Sequence, residues 1–354
     1  MKLLVLGNAR AVHTIRWCEW FRNKGHEVLL ATLEQSDKPL EYEHGLKTIP
    51  GPAFMRYALA KSSLATLVHR FAPQLVNAHF LPGYGFLGAL CGSARPLVTT
   101  VWGSDVLLNP SRSPFHRARA RYALSHADLL TCDSPVLTEA LEALGVGPGK
   151  IFEEPMGIDP EIFYPAPEIS RGSGQPLRIV STRRHEPLYG LPVLLRALRE
   201  LCDQGMLFRA TLAGGGSQSD ALRGQCEQLG LADSVEIIGE LQPVELANLL
   251  RGADIYVSTS VSDSTSVSLL EAMACGVFPV VSHIPGNLGW IRHGENGLLF
   301  PPGEGGALAG CIGTAAENKA LRAELVEKNL KIIADRAIWN DNMGRVEQAL
   351  LSLV

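Results

Sequence analysis

The 354-residue chain is missing most of the short motifs that announce a chemistry. Its first turn, GNARAVH at 7–13, has no GxGxxG, and no acidic residue follows the second strand at the required place; a nicotinamide-dependent oxidoreductase is excluded on that ground. No GxSxG elbow, HExxH pair or P-loop occurs, so those hydrolytic and phosphate-transfer routes lose their sequence support. There is no Asp-x-Asp to hold a divalent ion on a diphosphate, and neither metal nor cofactor is expected. The seven cysteines (18, 91, 132, 202, 226, 275 and 311) are odd in number and show no CxxC or metal spacing. They read as reduced core residues of a cytosolic protein, so a cytoplasmic location is expected. No apolar run approaches the ~20 residues of a membrane helix. The opening MKLLVLGNAR has too short an apolar run for a signal peptide and is expected to be a first strand. Low-complexity tracts and solenoid repeats are absent too, and nothing calls for a nucleic-acid partner.

What is present describes a packed α/β protein. Hydrophobic residues make up 46% and charged residues only 19%, which excludes a disordered chain. The length suits two domains of ~150–180 residues. Residues 1–150 hold 16 Lys and Arg against 11 Asp and Glu, while the remainder holds 16 against 25. That asymmetry suggests that the first half meets something anionic, either a membrane surface or a phosphorylated acceptor.

Strand-like and helix-like segments alternate. KLLVLG, HEVLLAT, QLVNAH, PLVTTVW, ADLLTCD and KIFEEP are strands, with helices from Ala11 to Lys24 and near 53–71, 113–125 and 135–144. PAPEISRGSGQP, from Pro165 to Pro176, interrupts the pattern with three prolines and two glycines and is taken as the domain boundary. PLRIVST, LFRATLAGGG, DSVEIIG, ADIYVSTS and GVFPVV supply the strands of a second series, and Trp339–Leu353 reads as a closing helix. Two doubly wound, Rossmann-like domains with a cleft between them are expected, since ligands bind where the carboxyl ends of parallel strands open.

The densest chemistry lies in SDSTSVSLLEAMACGVFPVVS, 262–282. A hydroxyl-rich turn leads into a helix that Gly276 closes, and a buried strand follows. Asp263 stands just outside the helix start and Glu271 one turn inside. A helix N-terminus offers unpaired N–H groups and partial positive charge, which favour phosphate, and two carboxylates beside it suit sugar hydroxyls. The plainer alternative is a capping box, with Ser268 and Glu271 satisfying backbone amides and Asp263 serving an Asx turn or N-cap.

This stretch resembles the donor-site signature of the retaining family 4 glycosyltransferases, which carry two acids at this spacing before an AMACG-like helix end. The resemblance extends from GHEV near His26 to GENGLLFPPGE at 294–304, and MGIDPEIFYP at 156–165 is similar to the family's interdomain linker. It implies the GT-B architecture: residues 1–165 an acceptor-side domain, 166–335 a nucleotide-sugar-binding domain, and 336–354 a helix returning to the first domain, with Trp339 anchoring the crossing. It further implies that Asp263 faces the transferred sugar and that Glu271 holds the ribose. Ser266, Val267 and Ser268 would bind the diphosphate by their N–H groups. In STRRHEPLYG, 181–190, Arg183 takes the place of the family's arginine, whose fork clamps phosphate. Tyr189 stands where the family has a lysine, so Arg184, His185 or backbone amides would have to compensate. Gly215 and Gly216 of AGGGSQSD would border the nucleotide, and Glu240 and Leu241 would hold the base through backbone groups.

In the first domain the family's sugar-contacting histidine is replaced by Trp102 in TVWGSD, which either stacks on a sugar or packs internally. Asp105 either takes a hydroxyl or caps the next turn. His13 and His79 are expected at the same cleft edge. The helices at 54–71, with Arg56, Lys61 and Arg70, and at 113–125, with Arg117, Arg119 and Arg121, are basic and amphipathic, which suits either contact with anionic lipid on the cytoplasmic membrane face or a solvated outer face on helices covering a sheet. The expected activity is metal-independent, retaining hexosyl transfer from a UDP-, GDP- or ADP-sugar to a hydroxyl acceptor, lipid-linked or part of a polysaccharide or glycolipid precursor. The rivals are a nucleotide-sugar epimerase or phosphorylase of the same fold, a two-lobed solute-binding protein, or a protein that binds the nucleotide sugar without catalysis.

Overall fold

Apolar runs flanked by glycine form strands buried on both faces, and the amphipathic segments between them provide the crossovers that parallel pairing needs. The computed structural model describes residues 1–52, 55–92, 95–111, 113–166 and 175–354. The chain divides into two compact units, Met1–Pro155 with Asp341–Val354, and Met156–Asn340.

The first unit contains β1 (Lys2–Leu6), β2 (Glu27–Thr32), β3 (Glu43–Gly45), β4 (Leu75–His79), β5 (Leu97–Thr100), β6 (Leu129–Cys132) and β7 (Ile151–Glu153). They form one parallel sheet in the order β3-β2-β1-β4-β5-β6-β7, with Leu4 beside both Leu29 and Val76. The second unit contains β8 (Leu177–Ser181), β9 (Phe208–Ala213), β10 (Val235–Ile238), β11 (Ile255–Ser258), β12 (Phe278–Ser282) and β13 (Leu298–Phe300). Their order is β10-β9-β8-β11-β12-β13, again parallel. Both sheets reverse their winding once, between β1 and β4 and between β8 and β11. This is the Rossmann strand order, and it opens a crevice at the carboxyl ends of those strands.

Several expectations on boundaries change. The units divide after Pro155, ten residues before the expected boundary, and 167–174 of the Pro/Gly-rich segment lie outside the described residues. MGIDPEIFYP starts where the units divide and packs into the second one. Ile158 bridges to Ile338, Phe163 is buried, and a side chain on Gly157 would meet the Ala337 carbonyl at 2.7 Å. Its apolar residues draw it into the second unit's core. Trp339 belongs to that unit as well, its N–H donating to Ile158 O at 2.9 Å. The residues that fasten the closing helix, Trp339–Leu351, within the first unit come later. Asn342 Nδ2 donates to Pro155 O at 2.8 Å, and Arg345 forms a forked pair with Glu154. The helix expected near 53–71 is two, Arg56–Leu59 and Lys61–Phe71, and residues 53 and 54 lie outside the described residues. Among the described residues no helix is long and apolar enough to cross a membrane.

Candidate functional site

In the second unit the expected residues gather where β8 and β11 end. β8 is an apolar strand whose chain runs on into Arg183, buried except for 7% of its surface. β11 ends in a serine-rich loop that enters the helix Val267–Ala274. Arg183 spans the two. Its Nη2 donates to Asp263 Oδ2 at 2.6 Å, and its Nη1 donates to Ser266 Oγ at 2.6 Å and Ser268 Oγ at 2.7 Å. The guanidinium lies 4.3 Å from the ring centre of Tyr189. Burial is the largest effect and works against its charge, but Asp263, Tyr256 and Tyr189 together hold the guanidinium above its ordinary value. Arg183 Nε has no hydrogen-bond partner among the described residues.

The helix start shows which residue is its N-cap. Ser266 is the N-cap, its hydroxyl accepting from Leu269 N–H at 3.4 Å. Ser268 is therefore the second helical residue, and its hydroxyl bonds Arg183 and Tyr256 instead of capping. Val267 opens the helix and Glu271 is its fifth residue, beyond the position from which a capping-box glutamate reaches back. Asp263 Oδ1 accepts from the adjacent Ser264 N–H at 3.1 Å, so this carboxylate stands outside the helix and answers to Arg183.

Tyr189 is held by its backbone: Thr259 Oγ1 donates to Tyr189 O at 2.7 Å. Gly190 next to it has a φ of +60°, and a side chain there would strike Thr259 O at 2.5 Å. The two candidates for replacing the missing lysine differ in placement. Arg184 is exposed. His185 is fully buried against Ser219 Oγ at 3.0 Å, and burial, with Arg223 adding, lowers its pKa, so it is a neutral ring.

The glycine turn packs loop on loop. Side chains at Gly214 and Gly216 would meet Arg183 O and His185 O, each at 2.5 Å, and Glu186 binds Ser217 N–H at 2.9 Å. Gly215 lies against Glu240, where a Cβ would come 3.4 Å from Glu240 Cγ, and half-buried Leu241 follows. These four expected contacts, Gly215, Gly216, Glu240 and Leu241, thus line the ends of β9 and β10 beside the Arg183 loop. Glycine at 214 and 216 is explained by close backbone approach.

In the first unit, His13, His79 and Trp102 come together, joined by Trp17, which sequence reasoning missed. His13 and Trp102 stack with ring centres 5.3 Å apart, and Trp17 and His79 meet Trp102 edge-on at 6.0 and 5.3 Å. Trp17 looks in the sequence like any core residue of an amphipathic helix, so no signal distinguished it. His79 is buried, donating from Nε2 to Asn77 Oδ1 at 3.0 Å. Burial first, and His13 second, press its pKa down to about 3. Asp105 is wholly buried, its oxygens accepting from Leu81 N–H and Trp102 N–H, each at 3.0 Å. Its bonds run to Leu81 and to Trp102, ahead of its own helix, not to the next turn, and they pin the Trp102 loop.

Two Rossmann-like units in succession, the second with a buried arginine over a serine-capped helix, define a protein of the GT-B class. A family model described as "Glycosyl transferases group 1" matches residues 167–331, and one described as "Glycosyl transferase 4-like" matches residues 2–134. The chain belongs to the group 1 glycosyl transferases. It is 31% identical over 258 residues to the amylovoran biosynthesis glycosyltransferase AmsK of Erwinia amylovora, an alignment spanning 68% of this chain and 62% of AmsK. The chain thus matches less than two thirds of that relative's length. It is 26% identical over 353 residues to the putative colanic acid biosynthesis glycosyltransferase WcaL of Salmonella typhimurium, covering 95% of this chain and 85% of WcaL. The fold is shared with the crystal structure of Anabaena Alr3699/HepE in complex with UDP-glucose, with a TM-score of 0.81, 21% identity and full coverage of both chains.

Proposed function

We propose that the protein transfers a hexosyl group from a nucleoside diphosphate sugar to a hydroxyl acceptor, with retention at the anomeric carbon and without a metal ion. The observation that carries this reading is the fork of Arg183, braced by Ser266 and Ser268 and paired with Asp263 at a helix start. A cation beside free backbone N–H groups suits a diphosphate, and a carboxylate beside it suits the sugar attached to that diphosphate. The bound UDP-glucose of the Anabaena protein favours a uridine donor, and the relatives named for amylovoran and colanic acid favour an acceptor in cell-envelope polysaccharide assembly.

In the proposed reaction the acceptor oxygen attacks the anomeric carbon from the side that the diphosphate leaves. The acceptor's proton passes to a departing phosphate oxygen, so no protein nucleophile is needed. Arg183 and the helix N–H groups stabilise the leaving charge, as preorganised dipoles do. Asp263 stabilises the positive charge growing on the sugar ring, and Glu271 holds the ribose. The anionic partner proposed for the first unit is a membrane surface carrying the acceptor.

Thermal-shift screening against UDP, GDP, ADP and their sugar conjugates tests the donor, since a ligand that binds the folded state raises the melting temperature. Turnover of the stabilising donor should persist in EDTA, and the product should keep the donor's anomeric configuration by NMR. Absence of stabilisation by every nucleotide sugar, or an inverted product, would sink the reading.

A further inference from the structure

We propose that Tyr256 is a positioning residue for the donor site: its hydroxyl holds Ser268, and through Ser268 the guanidinium of Arg183, in the direction that takes a diphosphate. This rests on the donor reading above. Tyr256 lies in β11 between Ile255 and Val257, which face one core cluster while Tyr256 faces the other, with Leu269, Leu270 and Met273. It is fully buried. A phenylalanine would fill that place equally well, and a buried hydroxyl is costly unless it is bonded. Its Oη is bonded to Ser268 Oγ at 2.8 Å.

Ser268 Oγ in turn accepts from Arg183 Nη1 at 2.7 Å and lies 3.2 Å from Ser266 Oγ. The two serines that brace the fork differ in how they are held. Ser266 is fixed by its own helix, as the cap on Leu269 N–H. Ser268, at the second helical position, has no capping duty, and its hydroxyl is oriented from below by Tyr256. Without the Tyr256 hydroxyl, Ser268 regains rotamer freedom and Arg183 Nη1 loses a directed acceptor. The fork then turns about its remaining bonds to Asp263 and Ser266, away from the geometry that paired phosphate contacts require.

The test is nucleotide affinity by isothermal titration, with UDP, GDP and ADP as probes, on Tyr256→Phe, Ser268→Ala and the double variant. For the nucleotide that the wild type binds, Tyr256→Phe should weaken binding about fivefold, the worth of one hydrogen bond. Ser268→Ala should weaken it comparably, and the double variant should bind no worse than Ser268→Ala alone, because both changes cut one chain. Wild-type affinity in Tyr256→Phe with only a lower melting temperature would mean a packing role and overturn the proposal, as would losses that add. Should Tyr256→Phe not fold, unaltered affinity in Ser268→Ala overturns it alone. If the wild type binds none of the three nucleotides, the donor reading falls and this proposal with it.

Discussion

Arg183 and Asp263, eighty residues apart in sequence, meet at 2.6 Å between Nη2 and Oδ2. The pair joins the loop after β8 to the loop after β11, across the point where the second sheet reverses its winding. Ser266 and Ser268 hold the other arm of the same fork, so the cation is already oriented before any ligand arrives. Prior orientation is what gives an electrostatic site its catalytic value, because little reorganisation is left to the reacting step.

Removing Asp263 should therefore separate chemistry from binding. Asp263→Ala is expected to lower kcat by about a hundredfold, the scale of one lost electrostatic stabiliser, with a smaller change in donor KM. It also leaves a buried guanidinium partly unpaired. Stability should fall by about 1–3 kcal/mol, below the cost for a fully buried pair because Asp263 retains some exposure. Steady-state kinetics with urea unfolding checks both effects, and an unchanged kcat would remove Asp263 from the reaction.

Glu271 should behave in the opposite way. It is the fifth residue of its helix, past the capping-box position, and its proposed role is a ribose contact. Glu271→Ala should raise donor KM by about tenfold, the worth of a hydrogen bond to a charged group, with kcat nearly kept. Glu271→Gln should fall between. An unchanged KM alongside a lower melting temperature would make Glu271 structural.

The strands were legible because parallel strands buried on both faces are apolar runs, as in KLLVL and FPVVS. β3 and β13 escaped because EHG has no apolar run and LLF sits between glycine and prolines, whereas β7, equally short, was found by its place in the alternation. Asp263 and Glu271 could be singled out from a local motif and Arg183 from the family resemblance of STRRHEPLYG, whereas their geometry could not. The Arg183–Asp263 contact spans eighty residues, and nothing near either residue encodes it. Tyr256 was hidden inside an apolar strand, and Trp17 inside an amphipathic helix. The segment 156–165, read by resemblance as the family's interdomain linker, starts where the units divide, and Ile158 and Phe163 take it into the second unit's core.

His79 predicts a loss of stability in mild acid. Its pKa in the folded protein is about 3, against an unfolded value of 6.5, because burial disfavours the charged ring. The unfolded chain therefore binds a proton that the native state refuses between those values. The stabilisation is complete above the unfolded value and is lost as pH falls toward about 3, amounting to about 2 kcal/mol between pH 7 and pH 5. Urea midpoints across that range should fall for the wild type and fall less for His79→Gln. Equal slopes would show that His79 is charged or exposed.

The two basic helices of the first unit should differ at a membrane. Helix Lys61–Phe71 turns Lys61, Ser62, Ala65, Thr66, His69 and Arg70 outward, a polar face that suits water. Helix Pro114–His126 exposes Phe115 at 61% and Tyr122 at 38%, together with Arg117 and Arg121, and it contains no acidic residue. Its Arg119 points inward, over the Phe86 ring at 4.3 Å. Exposed aromatics between cations suit the headgroup boundary of an anionic bilayer, where each cation near the surface contributes about 1 kcal/mol. Flotation with vesicles of phosphatidylglycerol and phosphatidylethanolamine should capture the wild type and a Lys61→Glu/Arg70→Glu variant. A Phe115→Ala/Arg117→Glu/Arg121→Glu variant should remain in the aqueous fraction while its melting temperature holds. Equal capture of both variants would move any membrane contact off this helix, and no capture of the wild type would leave the positive half of the chain to a phosphorylated acceptor.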